Sequence, residues 1–200
     1  MSLNVGNIVI CVRDGVTQDT IAEQIAVYWL GKGAELHVCD PLELQPLSLE
    51  EDAEGRLAYA ISPPVKKGLL FGKRWIAIAE SERYNIDWGL AHHLATQLHA
   101  EVCWYTMYGA TDGAEIRIIN SDLDPPELPD EDDEDVDETP YDVVEDFVNK
   151  HFPVTFVYFN QLDQQFADAR QTFRFVAFKS VSYDQYQTGP DEGDDVEAEA

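Results

Sequence analysis

The chain has 200 residues and a formal net charge of −26, a balance that disfavours nucleic acid, whose phosphates are held by Lys and Arg, and anionic lipid surfaces. Hydrophobic residues make up 44 % and include 4 Trp, 9 Tyr and 9 Phe, which excludes a wholly disordered chain and supplies one real core. The charge is modular: residues 122–138 carry eleven acids and 191–199 carry six, and setting those seventeen aside leaves about −9, so acidity spread over the whole surface does not explain it.

In chain order, Asn7–Val12 (NIVICV) is a short β-branched run of strand length. Thr20-Ile-Ala-Glu23 has capping-box spacing and opens a helix in which Ile21, Ile25, Tyr28 and Trp29 recur at helical intervals. Gly31 and Gly33 end it. Residues 35–39 (ELHVC) read as a strand, 40–55 as a loop, and 56–62 (RLAYAIS) as a strand stopped by Pro63 and Pro64.

A second unit follows the same plan. Residues 75–79 (WIAIA) read as a buried strand and 80–85 (ESERYN) as a polar connection. A helix starts at Asp87, with Ile86, Leu90, Leu94 and Leu98 in a stripe at intervals of four. Residues 101–108 (EVCWYTMY) read as the next strand. Laying 33–38 over 99–104 aligns the two strand–helix–strand units as a pseudo-repeat of about 65 residues.

The turn GATDG (109–113) leads back into AEIRIIN, as in a hairpin. Thr139 caps a third helix, with Pro140 at its first position and Asp142 at N3. Val144, Phe147 and Val148 form its apolar face, and Pro153 closes it. Residues 155–159 (TFVYF) read as a strand, 162–170 as a short helix, and 172–178 (TFRFVAF) as an alternating antiparallel strand. The order predicts an α+β domain with a mixed or mainly antiparallel sheet and two or three packed helices. That single domain covers 1–188, with an acidic, disordered insertion at about 121–139 and a disordered acidic tail at 189–200.

Cys11, Cys39 and Cys103 lack CxxC spacing, and the N-terminus shows no secretory features. Reduced, buried thiols and a cytoplasmic location are therefore expected. The apolar runs are too short to span a membrane, so no membrane partner is expected.

Catalytic motifs are absent. There is no GxSxG, and Gly68-Leu-Leu-Phe-Gly72-Lys73 has three intervening residues where a phosphate loop needs four, with no Ser or Thr after the Lys. His92, His93 and His99 lie on one helix without HExxH spacing, and His37 and Cys39 share one side of a strand. Structural histidines are expected, with no metal, no cofactor and no catalytic residue. An enzyme reading would draw on Asp112, His92, His93 and Glu80, with Ser81 nearby.

Two charged features stand out. Lys66, Lys67, Lys73 and Arg74 form a basic cluster around an apolar stretch. It reads as gatekeeping of a sticky segment, as a holder of the chain's own acidic loop or tail, or as the flank of a partner contact through Leu69, Leu70 and Phe71. The second feature is the run Asp130, Glu131, Asp132, Asp133, Glu134, Asp135, Asp137 and Glu138, broken by Val136 alone. A calcium loop starting at Asp130 would put Asp135 where Gly is needed and Tyr141 where Glu is needed. Starting at Asp133 puts Glu138 and Val144 there. A solvated spacer and a lure for a basic partner are the readings left.

Within 75–120, a strand, a helix of the type LxxxLxxxL, an aromatic strand, an Asp-bearing turn and a return strand follow in order. This pattern resembles small bacterial proteins of the toxin-immunity type over about a quarter of the chain. The resemblance implies a cytoplasmic protein that neutralises a cognate toxin by binding, with no catalytic residues to carry over. The leading expectation is a non-enzymatic binding module for a basic protein, ahead of an enzyme or a scaffold subunit kept soluble by its acids.

Overall fold

The computed structural model describes residues 4–38, 55–67, 72–81, 87–108, 113–129, 138–153, 157–158, 161–166 and 168–181. Its elements run β1 (Asn4–Val12), α1 (Gln18–Gly31), β2 (Glu35–Leu36), β3 (Gly55–Ile61), β4 (Val65–Lys66), β5 (Arg74–Glu80) and α2 (Trp88–Leu98). The rest are β6 (Val102–Tyr108), β7 (Gly113–Ile119), α3 (Pro140–His151), α4 (Leu162–Gln165), α5 (Ala169–Thr172) and β8 (Arg174–Val181). The eight strands form one sheet in the order β2-β8-β3-β5-β1-β6-β7, with β4 also on β5. Every pairing is antiparallel, so the α+β expectation holds at the antiparallel end of its range.

The sheet separates two cores because successive strand residues point to opposite faces. Ile8 and Ile10 of β1, Ile76 and Ile78 of β5, and Leu57, Tyr59 and Ile61 of β3 pack with Ile21, Ile25, Trp29, Leu90 and Leu94 from α1 and α2. The intervening residues Val9, Ala77, Ala79, Ala58 and Ala60 face Val144 and Val148 of α3, Leu162 of α4 and Ala169 of α5. Large β-branched residues fill one side, and alanines line β3 and β5 on the other. Both faces of β1 and β5 are therefore covered, and this is why NIVIC and WIAIA read as continuous apolar runs rather than alternating ones.

Connectivity gives the centre a recognisable form. The strand order β3-β5-β1-β6, with α1 joining β1 to β3 and α2 joining β5 to β6, is that of a ferredoxin-like split βαβ unit. The two strand–helix–strand units are interleaved, each placing one strand between those of the other. The return strand of the first unit is β3, however, and not the 33–38 stretch laid over β6. Glu35–Leu36 sits at the sheet edge against β8, with both side chains exposed.

Three local differences have local causes. The capping box of α1 is made by Thr17, with Thr20 as its N3 partner, so the helix starts earlier than a Thr20 cap implies. The single helix expected over 162–170 is two short ones, α4 and α5. Val157 and Tyr158, the described part of the expected strand 155–159, belong to no strand. Val157 pairs instead with a side chain: its N–H donates to Asn7 Oδ1 at 2.9 Å, and its carbonyl accepts from Asn7 Nδ2 at 3.0 Å. Among the described residues no helix is long and apolar enough to cross a membrane.

Candidate functional site

The acidic insertion joins β7 to α3, and both of its ends are fixed. On one side Leu123 and Leu128 pack, half-buried, against the core beneath α3. On the other, Thr139 caps α3: its Oγ1 accepts from the Asp142 N–H at 3.2 Å, and its own N–H donates to Asp142 Oδ2 at 3.2 Å. Pro140 at the first position is pre-set for the helix. Between these anchors Asp122, Asp124, Glu127 and Glu138 are all exposed. Asp130, Glu131, Asp132, Asp133, Glu134, Asp135 and Asp137 lie outside the described residues.

The basic cluster sits on the β4–β5 pair, where Lys66 is the cross-strand partner of Arg74 and the Lys67 N–H donates to the Lys73 carbonyl at 3.0 Å. Lys66 is exposed on β4, and Lys67 turns to the end of α3, donating to the Lys150 carbonyl at 2.7 Å. Lys73 and Arg74 enter β5 at the opposite side of the hairpin. Lys73 binds both carboxylate oxygens of Glu101, at 2.5 and 2.7 Å, and Arg74 Nη1 lies 3.7 Å from Asp14 Oδ1. The Glu101 carboxylate raises the Lys73 ammonium above its ordinary pKa, with a smaller contribution from Asp122. Lys67 and Lys73 are each held by a specific acceptor, and Lys66, Lys67 and Lys73 are all exposed. Leu69, Leu70 and Phe71 lie outside the described residues.

Lys73 and Arg74 belong to a cleft of about 710 Å³ where β1 ends and β5 and β6 begin. Cys11 and Arg13 come from the end of β1, His99 from the end of α2, Glu101 from the start of β6 and Asn120 from the end of β7. His99 closes α2 in the left-handed region (φ 47°), where glycine is the usual residue. The Asn120 amide donates toward the Ala95 and Ala100 carbonyls at 3.5 and 3.3 Å, capping that helix end. Cys11 is half-buried, and burial, helped by Glu101, raises its thiol pKa. The thiol is therefore a weak nucleophile at neutral pH.

A polar group of a different kind sits between α1 and α2. Asp87 caps α2, its Oδ1 accepting from the Gly89 N–H at 2.8 Å. Its Oδ2 accepts from the Tyr28 hydroxyl at 2.7 Å and from Lys32 Nζ at 3.3 Å. Burial pushes the Asp87 carboxyl up against the opposing pull of Tyr28 and Lys32. The Tyr28 hydroxyl is pushed far up, by burial first and then by the Asp87 charge, so it holds its proton and serves as a donor. Both oxygens of Asp87 are engaged, and the group ties two helices together.

Two of the enzyme candidates, His93 and Glu80, border the Tyr28–Asp87 pair, whereas His92 and His99 lie elsewhere. His92 is exposed against the Trp88 ring, 6.1 Å between centroids. His93 faces the Tyr28 ring at 5.3 Å, with burial lowering its pKa. His99 lies in the cleft. Ser81 Oγ accepts from the Ala58 N–H at 2.9 Å, and Glu80 is buried, 3.5 Å from the Asp87 N–H. Asp112 and Cys39 lie outside the described residues; His37 uses its backbone N–H on Ala177 at 2.8 Å. Among the described residues no three His, Cys, Asp or Glu side chains are grouped to hold a metal.

No family model matches this chain. No curated protein and no solved structure matches it either.

The cleft and the Tyr28–Asp87 tie were not readable from spacing. Each assembles residues from helices and strands that are distant in sequence. The Asp87 cap was readable, but nothing local marked its partners Tyr28 and Lys32.

Proposed function

We propose that this chain is a non-enzymatic binding module of the cytoplasm, an inhibitor or immunity-type protein for a basic partner engaged through the 122–138 insertion. The observation that carries the reading is the tethering of that insertion. Leucines packed on the core before the acidic run and a capping box after it fix both flanks of the insertion, and its described acids are exposed. Such a loop loses less freedom on docking than a free tail of the same charge. Its field also speeds encounter with a basic surface.

The test is an affinity purification from the source cells, run in parallel with the parent chain and a variant carrying the matching amides at every acid of 130–138. The expected result is a basic protein held by the parent and lost by the variant. Retention of the same protein by both, or of none by the parent, would overturn the reading.

A further inference from the structure

The cleft between Arg13 and Lys73 does not follow the charge of the rest of the molecule. Its lining carries three full-time cations, Arg13, Lys73 and Arg74, against the two carboxylates Asp14 and Glu101. With Asp122 also acting on Lys73, positive and negative charge are close to balanced here, in a chain of net charge −26. The two ion pairs also leave capacity unused. Lys73 is bound to Glu101, but its side chain is 56 % exposed. Arg74 meets Asp14 only at 3.7 Å, beside a fully exposed carboxylate. The Arg13 side chain is exposed and its guanidinium makes no ion pair or hydrogen bond among the described residues.

The negative end of α2 points to the same place and is masked. The Ala95 carbonyl accepts from the His99 and Ala100 N–H groups, and Asn120 covers both Ala95 and Ala100. Without that cap, the partial negative charge of the helix end would oppose an anion. His99 supplies a second feature. A left-handed residue at a helix end costs an ordinary side chain about 1 kcal/mol, which glycine avoids. Here an imidazole occupies that position and lines the cleft.

We infer that this cleft binds a small organic phosphate. Arg13 would take the phosphate oxygens in the two-pronged manner of a guanidinium, and Lys73 would add a point charge. His99 and Asn120 would meet the organic part. A cleft of about 710 Å³ has the size of a metabolite site. The inference stands apart from the basic-partner reading and uses none of residues 130–138.

The experiment is a titration of the full chain with adenosine monophosphate and, separately, inorganic phosphate at physiological salt, followed by amide NMR. The expected result is saturable shifts in residues 11–14, 72–74 and 99–101. Arg13→Ala, an exposed substitution, weakens adenosine monophosphate at least tenfold, whereas Lys66→Ala outside the cleft changes nothing. Absence of saturable shifts in these residues with both probes would overturn the site, as would equal affinity in Arg13→Ala. A variant lacking 130–138 separates one rival. If either probe binds only to that variant, the occupant is the chain's own acidic segment and the small-phosphate proposal fails.

Discussion

The Asn7 side chain holds the backbone of Val157 from both sides, accepting its N–H at 2.9 Å and donating to its carbonyl at 3.0 Å. Asn7 is fully buried on the central strand, and its Oδ1 also accepts from the Tyr105 hydroxyl at 3.1 Å. One amide thus gives a non-strand segment the two bonds that a neighbouring strand would give. Asn7→Ala removes the side-chain partner of the Val157 N–H and carbonyl and one bond of the Tyr105 hydroxyl, all inside the protein. The expected loss is about 3 kcal/mol, from roughly 1–3 kcal/mol for each buried group left without a partner. Urea unfolding should show a lower midpoint with an unchanged slope.

Tyr28 and Gly89 form a second dependence. A Cβ at Gly89 would run into the Tyr28 hydroxyl, so Gly89→Ala should destabilise the fold although alanine is the better helix former. In a Tyr28→Phe background the obstructing oxygen is gone, and the same substitution should cost less. A double-mutant cycle read by urea unfolding should give a coupling of about 1 kcal/mol or more. Simple additivity would contradict the packing of α1 on α2.

The pH dependence at Asp87 has a definite sign. Its folded pKa is raised, mainly by burial, so the folded state holds this proton more tightly than the unfolded state. Its contribution to stability is present below the ordinary carboxylate range and is lost as pH rises through the raised value. The stability of the parent relative to Asp87→Asn should therefore fall as pH rises from the ordinary carboxylate range through the raised value. Asp87→Ala should cost about 2–4 kcal/mol, because the cap, the Tyr28 bond and the Lys32 pair go together.

Cys11 offers a local check on the cleft. Burial and the Glu101 charge raise its pKa above the ordinary 9.0, while Lys73 and Arg13 pull it down. Iodoacetamide labelling of Cys11, read by peptide mapping, should be slow at pH 7 and climb about tenfold per pH unit until it levels off at the raised pKa. Glu101→Gln removes a raising charge and releases Lys73, so labelling at pH 8 should accelerate. Unchanged labelling would show that Glu101 does not face the thiol.

Local signals in the sequence located the helix starts at Asp87 and Thr139, because a cap, a proline and an acid at N3 act within one turn. The α1 start was ambiguous for the same reason: Thr17 and Thr20 both have a suitable residue three positions on, and the fold uses the earlier one. Strands β1 and β5 were legible as apolar runs. TFVYF has equal strand propensity, yet Val157 is claimed by an asparagine 150 residues away, which no local window contains. The 33–38 stretch resembled β6 in sequence but lies at an exposed edge, because β3 carries the larger apolar surface and takes the inner position. The cleft draws on four chain segments and is visible only once the split βαβ unit brings their ends together.

The acidic insertion was legible as composition, and its anchoring at Leu123, Leu128 and Thr139 gives that composition a fixed place. The most direct measurement is stopped-flow association with the purified basic partner across a range of sodium chloride concentrations. The parent and the 130–138 amide variant are compared at each concentration. The account predicts a rate that falls steeply with salt for the parent and a slower, nearly flat rate for the variant. Equal rates with equal salt dependence for the two proteins would contradict it.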